Sequence, residues 1–396
     1  MSEQTLAPRR GALILGAMML STFLIVMVEA LPNGLLTLLA PGLETSTARI
    51  GLLATGYALV VLFTTVPGTY LLRNVPRRWV LVGALAFAAI GMALGGLASG
   101  YSALLVSRLI AAIGQAQFWV AALPGTAGLF PPMQRGRVIA LLALGNSFAP
   151  VAGLPAATWL AERVSWRASF FVISGLALVV MLLVLVLFPT VKPAAAGAAK
   201  APHPSKRRLG FQLVAVVLLV TGSFGLFVFM TQILIDLGGY TQSDIPWLQV
   251  IQGSAGVLGA IVISRFIDRF AYRALLIACC VMLASLLILF NLGHNPFVAI
   301  AGLAVFSGAF ATLPPVFTHR IMQVAIGSTA MAVAIQASLF NLGIAGASAI
   351  AAAVENTFGV RWVMLAGAGF VTLGLFVVIL EHYQNPPLPL AGEVVN

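Results

Sequence analysis

Charge is scarce in this chain. Only 8% of its 396 residues are Asp, Glu, Lys or Arg, and 61% are hydrophobic, whereas soluble domains carry about 25% charged residues. A chain this apolar cannot hide its surface from water by folding, so a soluble globular protein is excluded and lipid is the expected solvent. Acids are scarcer still, ten against 21 Lys and Arg. Cysteine is limited to the adjacent Cys279 and Cys280 in an apolar run, which gives neither a disulfide framework nor a metal-ligand spacing. HExxH, a GxSxG elbow in context, a P-loop and an acidic metal cluster are all missing. No metal or cofactor is therefore expected, and no enzyme. The net charge of +11 is spread over short loops rather than gathered in a basic domain, so nucleic acid is not an expected partner.

Long apolar runs are what the sequence has instead. They fall at 12–39, 51–72, 79–98, 103–128, 138–160 and 169–189, then at 211–235, 246–266, 274–292, 297–319, 328–352 and 361–381. Each is long enough for a transmembrane helix, which needs ~20 apolar residues. Arg9 and Arg10 precede the first run, which is too long for a signal-peptide core of ~7–15 residues and reads as a retained helix. Between the two sets of six lies Thr190–Leu209, rich in Ala, Pro and Lys/Arg and without helical periodicity. The expected fold is an all-α polytopic membrane protein of twelve helices in two six-helix bundles. The bundles are assigned to residues 1–190 and 210–396, with a flexible cytoplasmic linker at 191–209. No soluble segment is large enough to hydrolyse ATP, so any energy must come from gradients.

Orientation follows from the basic residues. Sixteen Lys and Arg fall on one side of the predicted spans and four on the other, with Arg108 inside a span. This bias places both termini and the linker in the cytoplasm and supports an even number of spans. The halves are also weakly alike. Arg73-Asn-Val-Pro-Arg77 follows the second span and Arg269-Phe-Ala-Tyr-Arg273 the eighth, as expected of an internal repeat. Gly91, Gly95, Gly96, Gly343 and Gly346 fit close helix packing. Pro150 and Pro155, around Gly153, should bend the fifth helix and make a hinge or a tight seal.

Among the acids only Glu29 lies deep in a span, and Arg108 is read as the only buried base. An ionised group at mid-bilayer costs ~2.5–3.5 kcal/mol on insertion scales, so it usually has a partner or a task. At 1.5 Å per residue Glu29 sits ~25 Å up the first helix and Arg108 ~8 Å down the fourth, both in the outer half. One reading is that they pair directly or through water, provided the two helices face one cavity. The alternative is that Arg108 only pins packing by bonding backbone carbonyls. Thr22, Glu29, Asn33 and Thr37 share one helical face, as do Arg108, Gln115 and Trp119, and two such stripes should line one water-filled cavity. Asn146, Thr221, Phe224, Phe227, Gln232, Gln249, Gln252, Gln336 and Phe340 extend the set of substrate-facing candidates. Amides and aromatics without a second acid suit a neutral or weakly charged small molecule. Desolvation raises a carboxylate's proton affinity and a nearby arginine lowers it, so parting and rejoining Glu29 and Arg108 would drive proton coupling. His319 is a second titratable candidate.

Three stretches carry a family likeness. They are Val28-Glu29-Ala-Leu-Pro32-Asn-Gly34-Leu-Leu, Ser107-Arg108 followed by Gly114-Gln-Ala-Gln-Phe118-Trp119, and Gly145 to Phe170 with Gly153-Leu-Pro155 and Trp166-Arg167. Over nearly its whole length the chain resembles the major facilitator superfamily. Within it, the likeness is to the drug:proton antiporters and their sugar-efflux and arabinose-efflux branch. The resemblance implies alternating access, proton-driven export of a sugar, nucleoside, metabolite or drug, and a monomer in the bacterial inner membrane. It makes Glu29 and Arg108 the coupling residues, and Gly68, Arg73, Arg77, Pro150, Gly153, Pro155, Asp268 and Arg269 the conformational motifs. The sequence departs from the family where Gly68 is followed by Thr-Tyr-Leu-Leu-Arg73 without an acid, which Asp268-Arg269 partly replaces. Ala149 also stands where glycine is usual before Pro150. A proton symporter or uniporter on the same fold is the alternative.

Overall fold

The structure is a computed structural model that describes residues 8–131, 134–190 and 201–384. Twelve helices in it are long and apolar enough to cross a membrane, and no strand occurs among the described residues. They are α1 Arg9–Gly34, α2 Thr47–Leu71, α3 Arg77–Gly96, α4 Tyr101–Ala127, α5 Arg137–Arg163, α6 Trp166–Leu187, α7 Lys206–Val228, α8 Gln242–Ser264, α9 Phe270–Leu292, α10 Pro296–Val324, α11 Met331–Phe358 and α12 Val360–Gln384. The polytopic all-helical fold read from the apolar runs is the fold observed.

Several helices are broken, and proline or glycine explains three of the breaks. α1 ends at Gly34, and after Leu35 the chain starts a separate short helix, Leu36–Gly42. α5 runs regularly to Phe148, widens into a π-turn at Ala149–Gly153 and resumes at Leu154. Pro150 and Pro155 supply no N–H to that ladder, and the wider turn absorbs the loss. α10 is interrupted between Phe310 and Leu313, where Pro314 and Pro315 cannot donate to the preceding turn. The seventh apolar run also divides, at Phe229, into α7 and a short helix Met230–Asp236.

Part of the segment read as a flexible linker is ordered. Residues 191–200 lie outside the described residues, but 201–209 are docked. Ala201 packs with Ile321, Ala325 and Ala332. The N–H groups of His203 and Ser205 donate to the carbonyls of Gln323 and Val324. Ser205 caps α7, which begins at Lys206. The small apolar side chains and the capping serine make order where composition suggested none.

The described helices form two compact units. The first comprises Met1–Ser46 with Gly56–Ala196, and the second Thr47–Thr55 with Gly197–Asn396. In the first, α3 and α4 touch through their backbones. A Cβ on Gly91 would lie 2.8 Å from both the Ser107 carbonyl oxygen and the Ala111 nitrogen, and one on Gly114 would lie 2.4 Å from the Ala84 carbonyl. In the second, Gly222 and Gly367 bring α7 and α12 equally close. Where lipid supplies no hydrophobic drive between helices, such close contact is what holds them. The α3–α4 contact fixes α4, and α4 carries the polar residues of the site.

Candidate functional site

A hydrogen-bonded chain crosses the first unit between α1, α2 and α4. Gln115 on α4 donates from Nε2 to Glu29 Oε2 on α1 at 2.7 Å. The Tyr57 hydroxyl on α2 donates to Gln115 Oε1 at 2.6 Å. Arg108, 2% exposed, donates from Nη2 to the backbone carbonyl of Glu29 at 3.2 Å. Its guanidinium lies 4.5 Å from the Tyr57 ring centroid, and its Nη1 is 3.7 Å from the Met92 sulfur on α3. Glu29 and Arg108 are thus neighbours, through the alternative contact in which Arg108 bonds a backbone carbonyl. They meet through the Glu29 carbonyl, while the carboxylate bonds an amide. Cation–π stacking and a carbonyl acceptor are how an arginine survives away from water.

The polar stripe on α1 is narrower than expected. Thr22 is fully buried, and its hydroxyl bonds the Leu142 carbonyl of α5 at 3.0 Å, so it joins two helices. Thr37 lies beyond the break at Leu35, which cancels its helical phase with Glu29. Asn33 is half-buried near the end of α1, Trp119 is half-buried with its ring edge-on to Phe118, and Asn146 is exposed on α5.

The second unit carries an aromatic cluster. Phe227 has its ring centroid 4.8 Å from Phe310, 5.7 Å from Phe306 and 6.1 Å from Phe224, and Phe310 reaches Phe340 at 6.3 Å. Gln249, Gln252 and Gln336 are buried, and Gln336 accepts a bond from Thr318 at 3.3 Å. Thr221 bonds the Gly343 carbonyl of α11, again joining helices. Gln232 sits on the short helix after α7 and donates to Glu355 at 3.0 Å. The same carboxylate oxygen accepts from Thr47, also at 3.0 Å.

Of the conformational residues, Gly68 gives space to the Gln117 side chain, whose Nε2 bonds the Thr64 carbonyl at 2.9 Å. The Arg73 guanidinium covers the Tyr70 ring at 4.3 Å, and Arg77 begins α3. Pro150 and Gly153 lie in the π-turn and Pro155 just after it. Gly153 faces Met27 and Phe23 of α1, where a Cβ would come within 2.4 Å of the Met27 sulfur. The side chains of Asp268 and Arg269 fall outside the described residues.

Three buried charged groups escaped the sequence reading. Arg320 and Glu381 form an ion pair at 2.6 Å, with side chains 8% and 5% exposed, and Arg208 is buried as well. Arg108 is therefore not the only buried base, nor Glu29 the only acid inside a helical bundle. Each of these groups lies near a helix end, where position along the chain suggested solvent. Neighbouring helices cover them, and the Tyr272 ring lies 5.6 Å from Arg320. Tyr57 was also missed. The available signal was a tyrosine inside a greasy helix, since a buried phenol usually finds a hydrogen-bond partner.

Twelve spans in two compact units, with a carboxylate and an arginine netted together inside one of them, define a polytopic membrane transporter. The profile of the Major Facilitator Superfamily matches residues 18–238, more than half the chain. The chain belongs to that superfamily. It is 27% identical over 360 residues to a "Probable sugar efflux transporter" of Helicobacter acinonychis (strain Sheeba), covering 90% of this chain and 92% of the relative. It is 27% identical over 380 residues to the "Inner membrane transport protein YdhP" of Escherichia coli (strain K12), covering 93% and 96%. Among solved structures, a bacterial homologue of the human lysosomal transporter Spinster, inward-facing and unoccupied, superposes with a TM-score of 0.71 at 16% identity. The match covers 95% of this chain and 97% of that one, and it is a likeness of fold.

Proposed function

We propose that this transporter is a proton-coupled antiporter that exports a small solute by alternating access, with Glu29 as the proton carrier. The observation that carries the reading is the Glu29 carboxylate, half-buried inside a helical bundle and bonded to Gln115 beside Arg108. A carboxylate kept at that cost is retained for a task. The relatives named as sugar efflux and inner-membrane transport proteins support export across the inner membrane. The bias of basic residues supports cytoplasmic termini. The functional form is a monomer of two bundles. The solute-facing candidates are Asn33, Trp119 and Asn146 in the first unit and Phe224, Phe227, Gln252, Gln336 and Phe340 in the second. Aromatic faces and amides together suit a neutral solute with an apolar side, such as a sugar or a nucleoside.

The test is proton flux in reconstituted vesicles carrying a pH-sensitive dye, for the wild type and Glu29→Gln, challenged with sugars, nucleosides and amphipathic drugs. A solute that drives proton movement in the wild type and not in a Glu29→Gln protein that still binds it supports the reading. Equal proton movement in both removes Glu29 from coupling and turns attention to His319. Solute crossing without proton movement in either makes the protein a facilitator.

A further inference from the structure

The chain from Glu29 through Gln115 to Tyr57 has a direction, and the proton sets it. An ionised carboxylate only accepts hydrogen bonds. Gln115 therefore turns its NH2 toward Glu29, at 2.7 Å, and leaves Oε1 for the Tyr57 hydroxyl, at 2.6 Å. A protonated Glu29 carries an O–H that needs an acceptor, and Gln115 is the side chain already bonded to that carboxyl. The carboxamide of glutamine has nearly the same shape both ways round, and its last torsion is broad and roughly two-fold. Turning it over exchanges N–H for C=O without repacking. Gln115 is 4% exposed and Tyr57 3% exposed, so each orientation must find its partners within the protein. The Tyr57 hydroxyl serves both. It donates to Oε1 in one orientation and accepts from Nε2 in the other.

We propose that Gln115 reads the protonation of Glu29 by inverting its amide, and that Tyr57 is the positioning residue that lets either orientation close. The proposal rests on the reading of Glu29 as the proton carrier. On loading, a hydronium ion gives up one proton and becomes water, the O–H bond forms at Glu29, and no covalent bond in Gln115 or Tyr57 changes. The amide of Gln115 turns over and the phenol O–H swings round to let its oxygen accept. Unloading reverses each movement. Arg108 holds the frame, because it stacks on the Tyr57 ring and bonds the Glu29 carbonyl from the same helix that carries Gln115. Arg108 from α4 and Tyr57 from α2 are the charged and titratable groups acting on Glu29 among the described residues. The chain of bonds gives α1, α2 and α4 two alternative hydrogen-bond patterns, one for each proton state, which is what a coupled cycle requires of its carrier site.

Two substitutions separate this from simple packing. Tyr57→Phe keeps the ring over Arg108 and removes only the hydroxyl. The protonated pattern then buries an unpaired N–H, and the ionised pattern leaves only a carbonyl short of one donor, the milder defect. Gln115→Met keeps length and removes both partners. It takes a charge-assisted bond from the carboxylate, which is roughly twice as strong as the neutral bond lost by the acid.

The experiment is infrared spectroscopy of the full-length protein in lipid across pH, following the carboxylic C=O band that Glu29→Gln removes. No transported solute is needed. The expected result is that the band grows in at lower pH in Tyr57→Phe and at higher pH in Gln115→Met, each by up to about one pH unit. The band should also move to the frequency of a free carboxyl only in Gln115→Met. Shifts in the same direction, or a Tyr57→Phe protein indistinguishable from wild type, overturn the amide inversion and leave Glu29 as carrier. Retained proton coupling in Glu29→Gln overturns the underlying reading and this proposal with it.

Discussion

Replacing Gly91 by alanine tests the packing that positions α4. The new methyl would lie 2.8 Å from the Ser107 carbonyl oxygen and 2.8 Å from the Ala111 nitrogen. Both are backbone atoms and neither can rotate away, so α3 and α4 must part by roughly 0.6 Å to reach ordinary contact. Overpacking of this kind costs about 1–3 kcal/mol. Alanine also gains about 0.5–1 kcal/mol over glycine inside a helix, which blurs the single variant. Gly83→Ala, on the same helix with nothing within 4 Å of the new methyl, carries that gain alone. The difference between the two variants therefore isolates the overpacking. For a unit of this size, roughly 2–4 °C of melting temperature accompanies each kcal/mol, so Gly91→Ala should melt about 2–12 °C below Gly83→Ala. The assay is thermal loss of the helical circular dichroism signal in detergent. Equal melting temperatures would refute the backbone contact and, with it, the account of how α4 is placed.

Other expectations follow from the same geometry. Glu381→Ala leaves Arg320 buried without this carboxylate and should cost about 3–5 kcal/mol. Glu381→Gln, which can still accept a bond from Arg320, should lose less in the same melt. Arg108→Lys keeps the charge but loses the planar stack on Tyr57 and the fork that reaches the Glu29 carbonyl. Solute-driven proton flux should therefore fall although charge is conserved, and unchanged flux would show that charge alone matters there. Ser165→Ala removes the side-chain cap that accepts from the Ala168 N–H at the start of α6. It should cost about 0.5–2 kcal/mol, read as a lower detergent melting temperature.

The spans were legible because lipid imposes a length and a composition on any helix that crosses it, and twelve apolar runs near that length leave little freedom. Glu29 and Arg108 stood out by the same rule, as charges where charge is expensive. What the linear pattern misjudged was phase across breaks. Thr37 was projected along a helix that ends at Gly34, and the break at Leu35 resets the face. Thr22 shares the face of Glu29 in projection, yet α5 covers it; a helical wheel shows direction and not what stands opposite. Arg320 and Glu381 were counted as boundary charges because depth along one helix says nothing of cover by another. Tyr57 is grouped with the hydrophobic residues by composition, which hides the hydroxyl that lies 2.6 Å from Gln115 Oε1.

The ion pair on α10 and α12 has a consequence for how the chain is made. Arg320 and Glu381 are 61 residues apart in sequence, and the carboxylate belongs to the last described helix. At synthesis rates of about 5–20 residues per second, Arg320 joins the chain roughly 3–12 seconds before Glu381. During that interval the insertion machinery must accommodate an arginine that the finished protein neutralises. A ribosome that stalls inside α12 would release a chain with eleven greasy helices and an exposed cationic defect. That unpaired charge is what would distinguish an unfinished molecule from a complete one.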